Sequence, residues 1–222
     1  MRILNLFFLT CLLSVFASCQ EEEIYSCNKE VNDWVKENLK EIRTMTRSEW
    51  KNLDENVKRG CFVAFTQQQK VDFWKGKFNE ALELGWTKEE AEHIKAMYRF
   101  VDEHPEYFDF STKRTDEEIE IFELFVYEWT KKAEQQFRWS KNTIAGLIAT
   151  GNQLLDKNGT VQINQTRAMT KSGGESKCNC STDSDWCSTS TSIDCQDADC
   201  EDSTHGCGTL LVYSCNGRCN GI

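Results

Sequence analysis

Proline is nearly missing from this chain of 222 residues, where Pro105 stands alone. A single proline leaves most of the chain free to run as helices, with one obligatory stop. Histidine is scarce as well: only His93, His104 and His205 occur, with no H-E-x-x-H or inverted variant. That absence removes the common helix-borne zinc protease site. Neither G-x-S-x-G nor a phosphate loop is present, so nucleophile-elbow hydrolases and P-loop enzymes drop out. Positive charge is in deficit, and the formal net charge is −10. Phosphate contacts need clustered Lys and Arg, so nucleic acid is not an expected partner. Direct attraction to anionic lipid is disfavoured for the same reason. No C-x-x-C knuckle occurs among the 12 cysteines, which leaves a four-thiolate zinc site without its usual spacing. The expectation is no enzyme, no catalytic residue, no metal and no cofactor.

Long apolar runs are missing too. The longest, residues 3–16, follows Arg2 and leads into Ala17-Ser18-Cys19. It is short for a membrane span and carries signal-peptide flanks. Residues 1–18 resemble a bacterial lipoprotein signal, with Phe16 in the usual Leu position and Cys19 as the lipid-bearing first residue. Ordinary cleavage without a lipid is the alternative. Residues 19–25 then read as an acidic tether. Its Gln20-Glu21-Glu22-Glu23 resembles the signal that places some Gram-negative lipoproteins on the outer face of the outer membrane. The expectation is an exported cell-envelope lipoprotein with a lipid anchor in the outer membrane, exposed at the surface. Export also puts the cysteines where disulfides persist.

What is present over residues 26–155 is helical periodicity. Val31, Trp34, Val35, Leu39 and Ile42 fall on one helical stripe, as i, i+3 and i+4 spacing requires. Four capping boxes follow in order: Thr46 with Glu49, Thr66 with Gln69, Thr87 with Glu90, and Thr115 with Glu118. Each sits before an apolar stripe. Trp50, Leu53, Val57 and Cys61 form the second stripe, and Val71, Trp74, Phe78 and Leu82 the third, which Gly85 ends. Ala91, Ile94, Tyr98 and Val101 form the fourth, stopped by Pro105. Ile119, Phe122, Val126, Trp129 and Ala133 form the fifth, with a run on to Trp139, and a weaker sixth covers residues 144–155. The fold class predicted is mainly α: a helical body of about five to six helices, then a flexible linker and a small disulfide-rich module. Cys27 and Cys61 are the only cysteines in this body and are expected to pair. That bridge would close a loop of about 35 residues and contribute about 3–4 kcal/mol. His93 follows Glu89, Glu90 and Glu92 and reads as part of a solvated helix face. His104, before Pro105, reads as a residue at a helix C-terminus.

Residues 156–177 break the pattern with Asn158-Gly159, a polar run and Ser172-Gly173-Gly174. They read as a turn and flexible linker, with a possible short strand at 161–163. Arg167, Lys171 and Lys177 offer cleavage sites along it.

Residues 178–222 hold Cys178, Cys180, Cys187, Cys195, Cys200, Cys207, Cys215 and Cys219. A segment this short cannot fold on an apolar core alone, so these eight are expected to form bridges. Their pairing is open, because eight cysteines allow about 105 connectivities. Leu210, Leu211, Val212 and Tyr213 suggest one strand. Asp194, Asp197, Asp199, Glu201 and Asp202 make an acidic run without the order of a calcium-binding EF-hand.

The tail carries Cys178-Asn179-Cys180-Ser181-Thr182, Ser184-Asp185-Trp186-Cys187, Gly206-Cys207-Gly208-Thr209, Val212-Tyr213 and Cys215-Asn216-Gly217 in order. These motifs resemble fulvocin C, a small disulfide-rich bacteriocin. The arrangement of leader, helical body and tail is similar to that of the bacteriocin fulvocin C-related lipoproteins. The resemblance implies a bacteriocin-like, antibacterial module that is presented or released at the cell surface. Its acidic run makes this tail more negative than a membrane-disrupting peptide. The alternative is therefore a non-toxic surface protein whose stapled tail binds a carbohydrate, protein or ion. Either way the partner is a cell-surface target that the sequence leaves unnamed.

Overall fold

The computed structural model describes residues 23–164, 179–184, 195–198 and 204–219. Residues 1–18, Cys19, Cys178, Cys187, Cys200 and most of the acidic run lie outside the described residues. The chain is mainly α-helical, with a small disulfide-bearing β region at its C-terminal end. Among the described residues the helices are α1 (Lys29–Glu37), α2 (Leu39–Ile42), α3 (Arg47–Lys51), α4 (Glu55–Ala64), α5 (Gln67–Leu82), α6 (Lys88–Glu103), α7 (Asp116–Gln136) and α8 (Lys141–Ile148). Strand β1 (Cys195–Asp197) pairs antiparallel with β4 (Gly217–Cys219), and β2 (His205–Cys207) with β3 (Tyr213–Ser214). None of the described helices is long and apolar enough to cross a membrane.

All four capping boxes form. At Thr46, Thr66, Thr87 and Thr115 the hydroxyl accepts from the N3 amide, and the N3 side chain accepts from the cap's own N–H. Each box satisfies donors that a first turn leaves open. Thr87→Ala is expected to cost about 1 kcal/mol, read as a lower urea midpoint at unchanged slope.

Two expected helices are broken. The first divides at Asn38, whose side chain donates back to the Trp34 carbonyl at 2.8 Å. The second divides at residues 52–54, where Asn52 donates to the Ser48 carbonyl and the Asp54 carboxylate accepts from the Asn56 amide to cap α4. Short polar side chains compete with helix by bonding nearby backbone. The apolar stripe survives the break, since Trp50, Val57 and Cys61 are all buried.

The core joins α1 and α4 to the α5–α6 hairpin, α7 and α8. Trp74, Phe62, Phe78, Ile94, Met97, Ile144 and Leu147 are wholly buried in it. Pro105 ends α6 as expected and opens a 3-10 turn, Pro105–Phe108, with His104 at the C-cap of α6. His93 is not solvated. Its ring is stacked on Trp129 at 4.6 Å, its Nε2 meets the Trp129 carbonyl at 3.0 Å, and Trp129 Nε1 donates to the His93 carbonyl at 2.9 Å. The glutamates before it led to the wrong face; His93, Met97 and Phe100 instead follow i, i+4, i+7 toward the core, as helical spacing permits.

The expected Cys27–Cys61 bridge is absent, and both thiols are free. Cys61 points into the core, where burial pushes its thiol up to about 12. Cys27 precedes α1 and packs toward the tail.

The described part of the expected linker, residues 156–164, is bound to the body. The Leu155 amide donates to the Thr160 carbonyl, and the Gln162 amide to the Gln153 carbonyl. Asn164 Nδ2 donates to the Lys51 and Leu53 carbonyls. Lys77, almost wholly buried, holds the preceding turn through the Thr150 and Asn152 carbonyls. Gly159 has φ +95°, and a Cβ there would lie 2.3 Å from the Asn142 carbonyl carbon.

Candidate functional site

The tail closes on the helical body. Of the expected strand only Tyr213 is extended, in β3, while Leu210, Leu211 and Val212 lie in a 3-10 turn, Thr209–Leu211, and its cap. Leu210 and Leu211 both have positive φ, +53° and +56°. Such a bend costs non-glycine residues, and it drives the three side chains down into the core of the body. Leu210 and Val212 are 0% exposed and Leu211 8%.

Polar contacts fix the same joint. Arg114 Nη2 donates to the Tyr107 carbonyl at 3.1 Å and to the tail's Val212 carbonyl at 2.8 Å. Arg59 Nη2 donates to the Asn179 carbonyl at 3.4 Å. Gly206 lies close on α4, where a Cβ would meet Arg59 Cγ at 2.9 Å. One ring, Phe110, has two partners: Lys70 Nζ stands 3.6 Å from its centroid, and the imidazole of His205 stacks on it at 4.4 Å. Burial brings the Lys70 ammonium down to about 7. Burial, then the nearby charges of Arg114 and Lys70, bring His205 down to about 4, so its ring is neutral near pH 7.

Beside this joint is a cleft of about 800 Å³. The body lines it with residues 110–114 and the first turns of α7, and the tail with Asp183, His205 and the strand β3. Arg114 and Lys113 face Glu123 and Asp183, so the lining is electrically balanced. Phe122 and Tyr213, 5.8 Å apart, supply apolar surface. Burial raises the Tyr213 phenol well above its ordinary range, so it stays a neutral donor. Balanced charge, aromatic surface and several hydroxyls suit a polar, uncharged or zwitterionic ligand. Ser214, His205 and Asp183 share the cleft, and among the described residues no side-chain hydrogen bond joins His205 to either of the others.

The tail cysteines are brought together as bridges where described. Cys180 pairs with Cys195 and Cys207 with Cys215, and Cys219 is also disulfide-bonded. Asp197 is the one member of the acidic run described, and it is exposed on β1. Among the described residues no group of three or more His, Cys, Asp or Glu is placed to hold a metal ion.

Arg114 and Phe110 carry no local signal as docking residues, because their partners Val212 and His205 lie 98 and 95 positions away. The consecutive apolar residues at 210–213 were the available signal; a strand forms only from Tyr213, and the three before it turn inward. No protein-family model, curated protein or solved structure matches this chain.

Proposed function

We propose that this chain is an exported, lipid-anchored surface protein that works as one folded unit. Cys19 carries the lipid, and the cleft between body and tail binds a cell-surface ligand. One observation supports the reading above others: Leu210, Leu211 and Val212 belong to the core of the helical body. A tail that acted by diffusing away would have to withdraw all three. Burying one such side chain contributes about 1.5–3 kcal/mol, so withdrawing three costs on the order of 5–9 kcal/mol. The bacteriocin-like reading, which rests on the fulvocin C-like motifs, is therefore kept in its presented form: the tail acts at the surface while seated on the body.

Limited trypsin cleavage near Arg167, Lys171 or Lys177, under native oxidising conditions, tests the unit. Body and tail are expected to co-elute on gel filtration. A free tail peptide would favour a released effector instead. Glu123→Arg, an exposed position lining the cleft, tests the site. Binding of labelled chain to washed cells is expected to weaken on the order of ten-fold, about 1.4 kcal/mol; unchanged binding would remove the cleft from the proposal.

A further inference from the structure

Cys27 is a free thiol in a chain whose tail is cross-linked. It is half-buried just before α1 and packs against the Cys207–Cys215 disulfide. Thr204 bridges the two groups. Its hydroxyl lies 3.7 Å from the Cys27 sulfur, and its carbonyl accepts from the Cys215 amide at 2.7 Å. Arg59 is the other neighbour, with its guanidinium in electrostatic reach of Cys27. Thiol–disulfide exchange needs a free thiol and a disulfide within its reach. Cys27 is free and packs against such a bond. Access is also selective. Cys207 is 2% exposed and Cys215 0%, so dissolved thiols meet the bond poorly. A thiol already packed against it acts at high effective concentration. Cys61, the other free thiol, sits in the core with its thiol pushed up to about 12, and forms little thiolate.

We propose that Cys27 is an internal exchange thiol for the Cys207–Cys215 disulfide, and that exchange makes the docking of the tail covalent. The Cys27 thiolate attacks one sulfur of the pair. A bond forms between Cys27 and that sulfur as the Cys207–Cys215 bond breaks. The bonding electron pair leaves on the other sulfur, which takes up the proton that Cys27 released. One disulfide and one thiol exist before and after, so no outside oxidant or reductant is consumed. The tail would then be held to the body by a bond that survives both linker cleavage and denaturant. This inference goes beyond the binding role and does not depend on what the cleft holds.

The test uses the full oxidised chain, folded, held near the ordinary thiol pKa of about 8.5. It is then quenched in acid, alkylated without reduction and digested for mass mapping. Cys27 and Cys61 are the only cysteines between Cys19 and Cys178, so a link from the body is readily assigned. A growing population is expected with Cys27 joined to Cys207 or Cys215 and the displaced sulfur alkylated. Fully alkylated Cys27 beside an intact Cys207–Cys215 pair at all times would overturn the proposal. Cys27→Ser is expected to abolish the mixed species, and Cys61→Ser to leave it unchanged; the reverse pattern would transfer the role to Cys61 and defeat the proposal. Cys215→Ser gives a separate trap. Oxidation is expected to join Cys207 to Cys27, and pairing of Cys207 elsewhere would count against it.

Discussion

Leu210→Asp is expected to undo the joint between tail and body. Leu210 is 0% exposed and lies among the core residues of the helical body. Truncating a buried leucine costs about 2–5 kcal/mol, and a carboxylate left unpaired there adds a desolvation penalty. An opposing effect exists, since Leu210 at φ +53° carries backbone strain of about 1–2 kcal/mol. Aspartate tolerates that conformation better than leucine does, so part of the strain is relieved. Lost burial still outweighs the relief. A stability loss of about 3–5 kcal/mol is therefore expected in urea unfolding. Under native conditions the cut tail should also separate from the body on gel filtration. Wild-type stability together with a co-eluting tail would mean that the three apolar residues do not hold the joint.

Acid is expected to weaken the fold well before the carboxylates titrate. Burial holds the His93 imidazole down at about 4, whereas in the unfolded chain it returns to about 6.5. Between those values the unfolded chain binds more protons, so stability rises with pH across this window. The contribution is fully present above about 6.5 and lost as pH falls through about 4; it is worth about 3 kcal/mol. His205 acts in the same direction at the body–tail joint, with a smaller share because it is partly exposed. Protonated, it would sit against Phe110 with the charges of Lys70 and Arg114 nearby. Capping carboxylates such as Glu49 and Glu118, held below their ordinary range by bonds from the Thr46 and Thr115 caps, lose their contribution only at lower pH. Urea midpoints taken from about pH 7.5 to 4 should slope downward through the histidine window. A flat profile above about pH 5 would show that His93 is not held neutral.

The helical body was largely legible because its signals are local. A threonine and a glutamate or glutamine three residues later suffice to start a helix, and all four such boxes form. The stripes around Trp74 and Ile94 likewise bury as their spacing requires. What escaped depends on partners distant in sequence or on side chains that reverse a local tendency. Asp54 restarts a helix inside a continuous apolar stripe. His93 is buried by its bond to Trp129, 36 positions on, although glutamates surround it. Cys27 and Cys61 met the counting rule for a pair, yet they face different neighbours. The cleft was invisible because its two walls, residues 110–123 and residues 183–214, come from distant parts of the chain.

That last arrangement has a consequence for how the protein is made. Residues 210–212 complete a hydrophobic core begun by helices near the N-terminus. During synthesis the helices emerge first, but their core lacks three side chains until residues 210–212 have appeared. The early helices should therefore stay less tightly packed until that segment has been made. Tight packing would follow only when that segment arrives, so deleting residues 210–212 should weaken the helices as well as the tail.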